Sequence, residues 1–249
     1  MSMRFQDKAV ILTGAASGIA LGCAQKYAEE GGRVCLVDIN EEGVNAAAAG
    51  ICQKGGIAIA VRTDIRDYAQ VKAAVARALE KFGRIDLLVN CAGGASSRVM
   101  GYVGVPYHEL PVEVIDWGID VNLKGAVYFC HAVLGQMIKQ KSGVFINLGS
   151  VEGLTGSACL DYGAAKSAMI GLTKSLTVVG SPHGIRACCV SPGPVLTRPE
   201  MAKMKTRLGR AAETREIVDL ILYLSSEQAA FITGANYVID GGRSCGGIG

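Results

Sequence analysis

Short apolar runs rich in β-branched residues alternate along this chain with longer stretches whose apolar positions recur every three to four residues. The runs predict strands over 8–13, 33–38, 57–63, 85–90, 143–148, 185–190 and 236–239. The longer patterns predict helices over 18–30, 41–54, 67–81, 113–140, 161–180 and 214–226. The strand runs are continuously apolar rather than alternating, which implies burial on both faces. Strand–helix alternation of this kind implies right-handed crossovers, and hence a doubly wound parallel sheet with helices on both faces, an α/β fold. No linker, repeat or low-complexity tract interrupts the pattern, so residues 1–249 are expected to form one domain. In such a sheet a ligand belongs beyond the carboxyl ends of the strands, where strand order switches.

Composition narrows the function. Half of the 249 residues are apolar and 19% are charged, enough for a sizeable core. The net charge of +3, with mixed signs, offers no basic stripe for nucleic acid. Nine cysteines are odd in number, form no CxxC and lie mostly within apolar runs such as 33–37. They read as small buried hydrophobes in a reducing compartment. His108, His131 and His183 have no ligand spacing, so no metal is expected. No charged-then-apolar leader is present, nor any apolar run near the roughly 18 residues a membrane span needs, so the cytoplasm is the default expectation.

The candidate chemistry lies in two places. Between the first strand and first helix, Thr13-Gly14-Ala15-Ala16-Ser17-Gly18-Ile19-Ala20 forms a glycine turn at a helix start. There, oriented N–H groups suit a pyrophosphate and glycine lets backbone approach it closely. An ordinary glycine turn is the alternative. Asp38 closes the second strand, where a carboxylate accepts hydrogen bonds from ribose hydroxyls and repels a 2′-phosphate by several kcal/mol at an effective dielectric of about 20. With no Arg or Lys at Ser17 or Ile39 to compensate, NAD is favoured over NADP. Asp64, after the third strand, is placed for the adenine amino group or as a helix N-cap.

The second place holds Ser150, at the end of the fifth strand, followed by Tyr162-Gly163-Ala164-Ala165-Lys166. Tyr162 and Lys166 are one helical turn apart on one face. A phenol titrates near 10, roughly 4 kcal/mol from neutrality, and an ammonium at about 4–5 Å supplies roughly that at an effective dielectric of about 20. Tyr162 is thus a candidate general acid/base, with Ser150 holding a substrate oxygen beside it. The same YxxxK spacing occurs at Tyr68 and Lys72 without an upstream strand-end serine, and reads there as a solvated helix face. Asn122, within an apolar helix, either bonds a water near Lys166 or is a core amide bonded to backbone.

These residues, with Asn90-Cys91-Ala92-Gly93, Ser191-Pro192-Gly193, Thr197, and the tail from Ile232-Thr233-Gly234 to Asp240-Gly241-Gly242, make the whole chain resemble a short-chain dehydrogenase/reductase of the classical type. The resemblance implies a seven-stranded Rossmann sheet and a catalytic tetrad of Asn122, Ser150, Tyr162 and Lys166. It also implies a cofactor set of Gly14, Ser17, Gly18, Ile19, Asp38, Asp64, Ile65, Asn90, Ala92, Gly93, Tyr162, Lys166, Pro192, Gly193, Val195 and Thr197, and a homotetramer. Ala20 replaces the last glycine of the turn, Ser191 stands where asparagine is common, and the Ser150–Tyr162 loop is one residue short of the family's usual length. A short lid is expected over 197–214, and Ser150, Glu152, Tyr162 and Met201 are candidate substrate contacts. Glu152 either bonds a hydroxylated substrate or faces solvent.

The expected activity is NAD-dependent interconversion of a secondary alcohol, such as a sugar or polyol, and its ketone. The alternatives are a ketone reductase such as a 3-oxoacyl reductase, and a silent NAD-sensing protein.

Overall fold

The computed structural model describes residues 3–246. Its strands are β1 (Ala9–Thr13), β2 (Arg33–Asp38), β3 (Ile57–Arg62), β4 (Leu87–Asn90), β5 (Gly143–Leu148), β6 (Ile185–Pro192) and β7 (Asn236–Ile239). They form one seven-stranded sheet in the order β3-β2-β1-β4-β5-β6-β7. Every pairing is parallel. The helices are α1 (Gly18–Glu29), α2 (Glu41–Gln53), α3 (Tyr68–Phe82), α4 (Ser96–Val99), α5 (Val112–Ile119), α6 (Gly125–Gln140), α7 (Glu152–Thr155), α8 (Leu160–Gly180) and α9 (Thr214–Ser225). The fold is thus the single-domain Rossmann-like sandwich that the alternation implies.

Period-two side chains split the central strands between two cores. Val10 and Leu12 of β1 join α1, α2 and α9 residues such as Cys23, Ile51 and Ile217 on one face. Ala9 and Ile11 join Val75 of α3, Phe129 of α6 and Leu176 of α8 on the other. Burial on both faces fails at the edge of the sheet: β3 has exposed or half-buried positions throughout, because nothing pairs beyond it.

Helix starts follow local chemistry. The Asn40 side chain accepts from the Gly43 amide at the start of α2, and Asp67 accepts from the Ala69 amide at 2.8 Å at the start of α3. Asp64, one of whose readings was that cap, pairs instead with Arg66. The helix predicted over 113–140 runs without interruption from Val112 to Gln140, with a π turn at Asp120–Lys124 between α5 and α6. The apolar periodicity runs through that turn, so nothing in the pattern marks it.

Strand order reverses between β1 and β4, and the crevice opens above their carboxyl ends. The Thr13 hydroxyl at the tip of β1 accepts from the Cys91 and Ala92 amides at 3.0 and 3.1 Å, locking the two loops together.

Candidate active site

Two connected hollows lie over the crevice. The first, about 510 Å³, is lined by Gly14, Ser17, Gly18, Ile19, Asp38, Asp64, Ile65, Ala92, Gly93 and Thr197 of the expected cofactor set. The second, about 260 Å³, is lined by Ser150, Glu152, Tyr162, Lys166, Pro192, Gly193, Val195 and Met201. Ile19, Gly93 and Thr197 border both, so the two halves of the predicted site meet.

The floor of the first hollow is backbone. Gly14 and Gly18 have φ of +71° and +59°, a region that costs an L side chain strain. A Cβ on Gly14 would lie 2.8 Å from the Ala92 Cα. Ser17, the N-cap of α1, makes no side-chain capping bond, and the Gly18 and Ile19 amides have no partner among the described residues. Unpaired amides at the start of a twelve-residue helix fit a dinucleotide's phosphates. Ala20 is buried in the core, where its methyl packs between helix and sheet.

Asp38 accepts from the Ala16 amide at 3.0 Å and the Asn40 amide at 2.9 Å, which fixes its carboxylate at the rim. Asp64 is held by Arg66 Nη2 at 2.6 Å, and that hydrogen bond keeps its carboxyl below the usual range. Asn90 lies apart from both hollows. Its amide donates to Asn147 Oδ1 at 2.9 Å in the buried layer between β4 and β5, so its side chain serves the core.

In the second hollow, α8 carries Tyr162 and Lys166. A single turn, α7, fills the loop after Ser150, and Ser150 and Tyr162 both line the hollow. The Ser150 Oγ also accepts from the Glu152 amide at 3.2 Å. Lys166 is 5% exposed, and its Nζ donates to the Leu148 carbonyl at 2.8 Å and lies 5.8 Å from the Tyr162 ring centroid.

Electrostatics here differ from expectation. Burial pushes the Tyr162 phenol above its ordinary value, the Ser150 hydroxyl opposes this, Glu152 adds to the rise, and Arg198 and Arg98 pull it down. Burial also lowers the Lys166 ammonium. Desolvation thus disfavours the charged form of both groups.

All three hydrogen bonds of the Asn122 side chain go to backbone. Oδ1 accepts from the Gly94 amide, and Nδ2 donates to the Gly94 and Gly118 carbonyls, each at 2.9 Å. These bonds fit the core-amide reading, and they clamp the Gly93–Gly94 loop: a Cβ on Gly93 would meet Asn122 Oδ1 at 2.5 Å and Lys166 Nζ at 3.3 Å. Glu152 is half-buried at the wall, its Oε2 accepting from the Ser157 hydroxyl at 2.6 Å, rather than free in solvent. Ser191 replaces the commoner asparagine and donates to Asn236 Oδ1 at 2.7 Å, tying β6 to β7. Within the 197–214 segment, Pro199–Lys203 form a 3-10 turn carrying Met201 over the hollow.

Sequence reasoning missed Arg98, Arg198 and Arg243, which line the second hollow. An isolated arginine in a polar stretch carries no signal of where it points. Among the described residues, no cluster of three or more His, Cys, Asp or Glu is placed to hold a metal, and no helix is long and apolar enough to cross a membrane.

Comparison with known proteins agrees with this geometry. The family model described as enoyl-(acyl carrier protein) reductase matches residues 14–244. The chain is 37% identical to the oxidoreductase UcpA of Salmonella typhimurium, over 97% of this chain and 96% of that protein. It is 35% identical to a D-threitol dehydrogenase of Mycolicibacterium smegmatis, over 96% and 94%. A solved 3-oxoacyl-[acyl-carrier protein] reductase from Brucella melitensis with bound NAD superposes with a TM-score of 0.89 at 30% identity, covering 98% of this chain and 93% of that one. The chain belongs to the short-chain dehydrogenase/reductase family.

Proposed function

We propose that the protein is an NAD-dependent oxidoreductase that interconverts a small secondary alcohol, such as a sugar or polyol, and its ketone. The observation that carries the reading is the convergence of Ser150, Tyr162 and buried Lys166 on one hollow that borders the glycine-floored one. Bound nicotinamide supplies the hydride acceptor for the alcohol, or the donor for the ketone. Ser150 holds the substrate oxygen toward Tyr162, whose phenolate takes the hydroxyl proton in oxidation and returns it in reduction.

A cationic nicotinamide ring, when bound, would favour the phenolate of a phenol that burial otherwise keeps protonated. Lys166, anchored on Leu148, adds its charge behind the ring. Asn122 contributes by positioning the Gly93–Gly94 wall.

Asp38 at the rim argues for NAD, since a 2′-phosphate would meet a fixed carboxylate. The D-threitol dehydrogenase relative favours a hydroxylated substrate, and Glu152 is placed to accept a hydroxyl. The deciding experiment is a panel of alcohols, polyols and ketones assayed with both cofactors on wild type and Tyr162→Phe. Turnover with NAD in wild type, lost in Tyr162→Phe with NAD binding retained, is the expected result. NAD binding with no turnover of any substrate would favour the sensor alternative. Unchanged polyol kinetics in Glu152→Ala would remove that residue from substrate binding.

A further inference from the structure

The wall of the hollow beside Tyr162 is unusually cationic. Arg98 reaches it from α4, Arg198 from the start of the lid and Arg243 from the tail, while Glu152 is the one carboxylate among the lining residues. That is a local concentration of charge in a chain whose net charge is only +3.

The partners of these cations matter. Arg98 makes no side-chain hydrogen bond or ion pair among the described residues; its Nη2 would stand 2.9 Å from a Cβ on Gly94, so the guanidinium lies along the loop at the mouth. Arg198 has only Glu200 near it, at 4.0 Å, with that carboxylate 73% exposed. Arg243 Nη1 is occupied by the Lys205 carbonyl at 2.8 Å. By contrast, Arg4, Arg66, Arg84 and Arg210 each hold a carboxylate at 2.6 Å. Burial lowers the Arg98 guanidinium and the like charge of Arg198 adds to that, while Tyr162 and Glu200 oppose it. Two guanidinium forks on separate segments, both beside the phenol and neither hydrogen-bonded to a carboxylate among the described residues, are an arrangement an anion would complete.

We infer that the substrate carries an oxyanion, a carboxylate or a phosphate, which Arg98 and Arg198 grip while its secondary hydroxyl reaches Ser150 and Tyr162. This rests on the oxidoreductase reading above and narrows its substrate class from neutral polyols to anionic alcohols. The grip also links α4 to the lid, so binding the anion draws the lid over the hollow. Glu152 then faces a hydroxyl rather than the anion, which its own charge repels.

Both arginines also border the cofactor hollow, so the competing role is contact with the cofactor's phosphates. The test uses matched ring alcohols: 3- and 4-hydroxycyclohexanecarboxylate, their neutral carboxamides, and the corresponding hydroxycyclohexyl phosphates. Each is assayed with NAD on wild type, Arg98→Gln and Arg198→Gln.

The expected result is a wild-type kcat/KM at least about 30-fold higher for one anionic series than for the amide, falling about tenfold in each variant through KM. The carboxylate and phosphate arms identify which oxyanion is used. Equal kcat/KM for acid, phosphate and amide in wild type would overturn the inference and leave the oxidoreductase reading standing. So would a weakened NAD dissociation constant in the variants with the anion-to-amide ratio unchanged, which would give the arginines to the cofactor. If no compound is turned over, thermal shift in the presence of NAD still decides: stabilisation by the acids or phosphates but not the amides, lost in Arg98→Gln, supports the anion grip while the catalytic reading fails. No discrimination there overturns both.

Discussion

The chain carries the same tyrosine–lysine spacing twice, in α3 at Tyr68 and Lys72 and in α8 at Tyr162 and Lys166. The pairs are nearly alike in geometry: the ammonium lies 5.3 Å from the ring centroid in α3 and 5.8 Å in α8. Their surroundings are not. Lys72 is exposed, and the half-buried Tyr68 donates to or accepts from His131 Nδ1 at 2.5 Å while its ring packs on Tyr128. Lys166 is buried on the Leu148 carbonyl, and Tyr162 lines a hollow together with Ser150. The spacing brings cation and ring together; the sheet decides whether water competes. An exposed ammonium is screened and worth little, whereas a desolvated one acts strongly on whatever lies beside it.

The sharpest way to break this comparison is to remove one phenol at a time. Tyr162→Phe is expected to lower kcat for alcohol oxidation at least about 10³-fold with the NAD dissociation constant within about twofold of wild type, and Tyr68→Phe to leave kcat within about twofold. A loss of similar size in Tyr68→Phe would abolish the distinction. Ser150→Ala comes next, at about 10²-fold in kcat. It also has a pH signature. The deprotonated phenol is the base for oxidation, and the neighbouring Ser150 hydroxyl holds down a value that burial raises. The activity of the free enzyme should therefore climb with pH in the alkaline range, and Ser150→Ala should move that climb to higher pH. A limb unmoved in Ser150→Ala would take the serine off the phenol.

How far the sequence reveals these differences depends on whether a feature is backbone or environment. The strands β1, β2 and β5 were legible because a buried strand must be apolar along its length. The glycine turn was legible because only glycine adopts positive φ cheaply at Gly14 and Gly18. The π turn at Asp120–Lys124 was hidden, since it preserves the apolar rhythm of the flanking helices. Asn90 was placed beside the cofactor, but alternation along β4 turns its side chain into the layer shared with Asn147. The solvation of Lys166 and the convergence of Arg98 and Arg198 depend on three segments distant in sequence, so no local pattern encodes them.

Replacing the two lysines sharpens the same contrast at lower amplitude. Lys166→Met is expected to cost about 10²-fold in kcat, the effect of one ammonium about 6 Å away at an effective dielectric of about 20, and Lys72→Met nothing measurable. Stability should move the other way. Burial lowers the Lys166 ammonium from its ordinary 10.5, so the unfolded chain binds its proton more tightly than the folded one. The charged lysine thus destabilises the fold below its lowered value, and that penalty shrinks as pH rises toward 10.5. Chemical denaturation of wild type against Lys166→Met between neutral pH and pH about 10 should show the variant at least as stable at neutrality and its advantage narrowing upward. An advantage that grew with pH would reverse the sign assigned to burial.

The smallest effect is expected where the second copy meets its own partner. His131→Ala removes the Tyr68 hydrogen bond and an edge-to-face ring contact 5.5 Å between centroids, both at the half-exposed junction of α3 and α6. One neutral hydrogen bond contributes about 1 kcal/mol net, and partial exposure lets water replace the imidazole. A loss of about 1 kcal/mol or less in urea denaturation, with kcat and the NAD dissociation constant unchanged, would make the α3 pair a packing device. Loss of activity in His131→Ala at full folding would instead mean that this junction reaches the site through α6 and the π turn before it, and that the two copies are not independent.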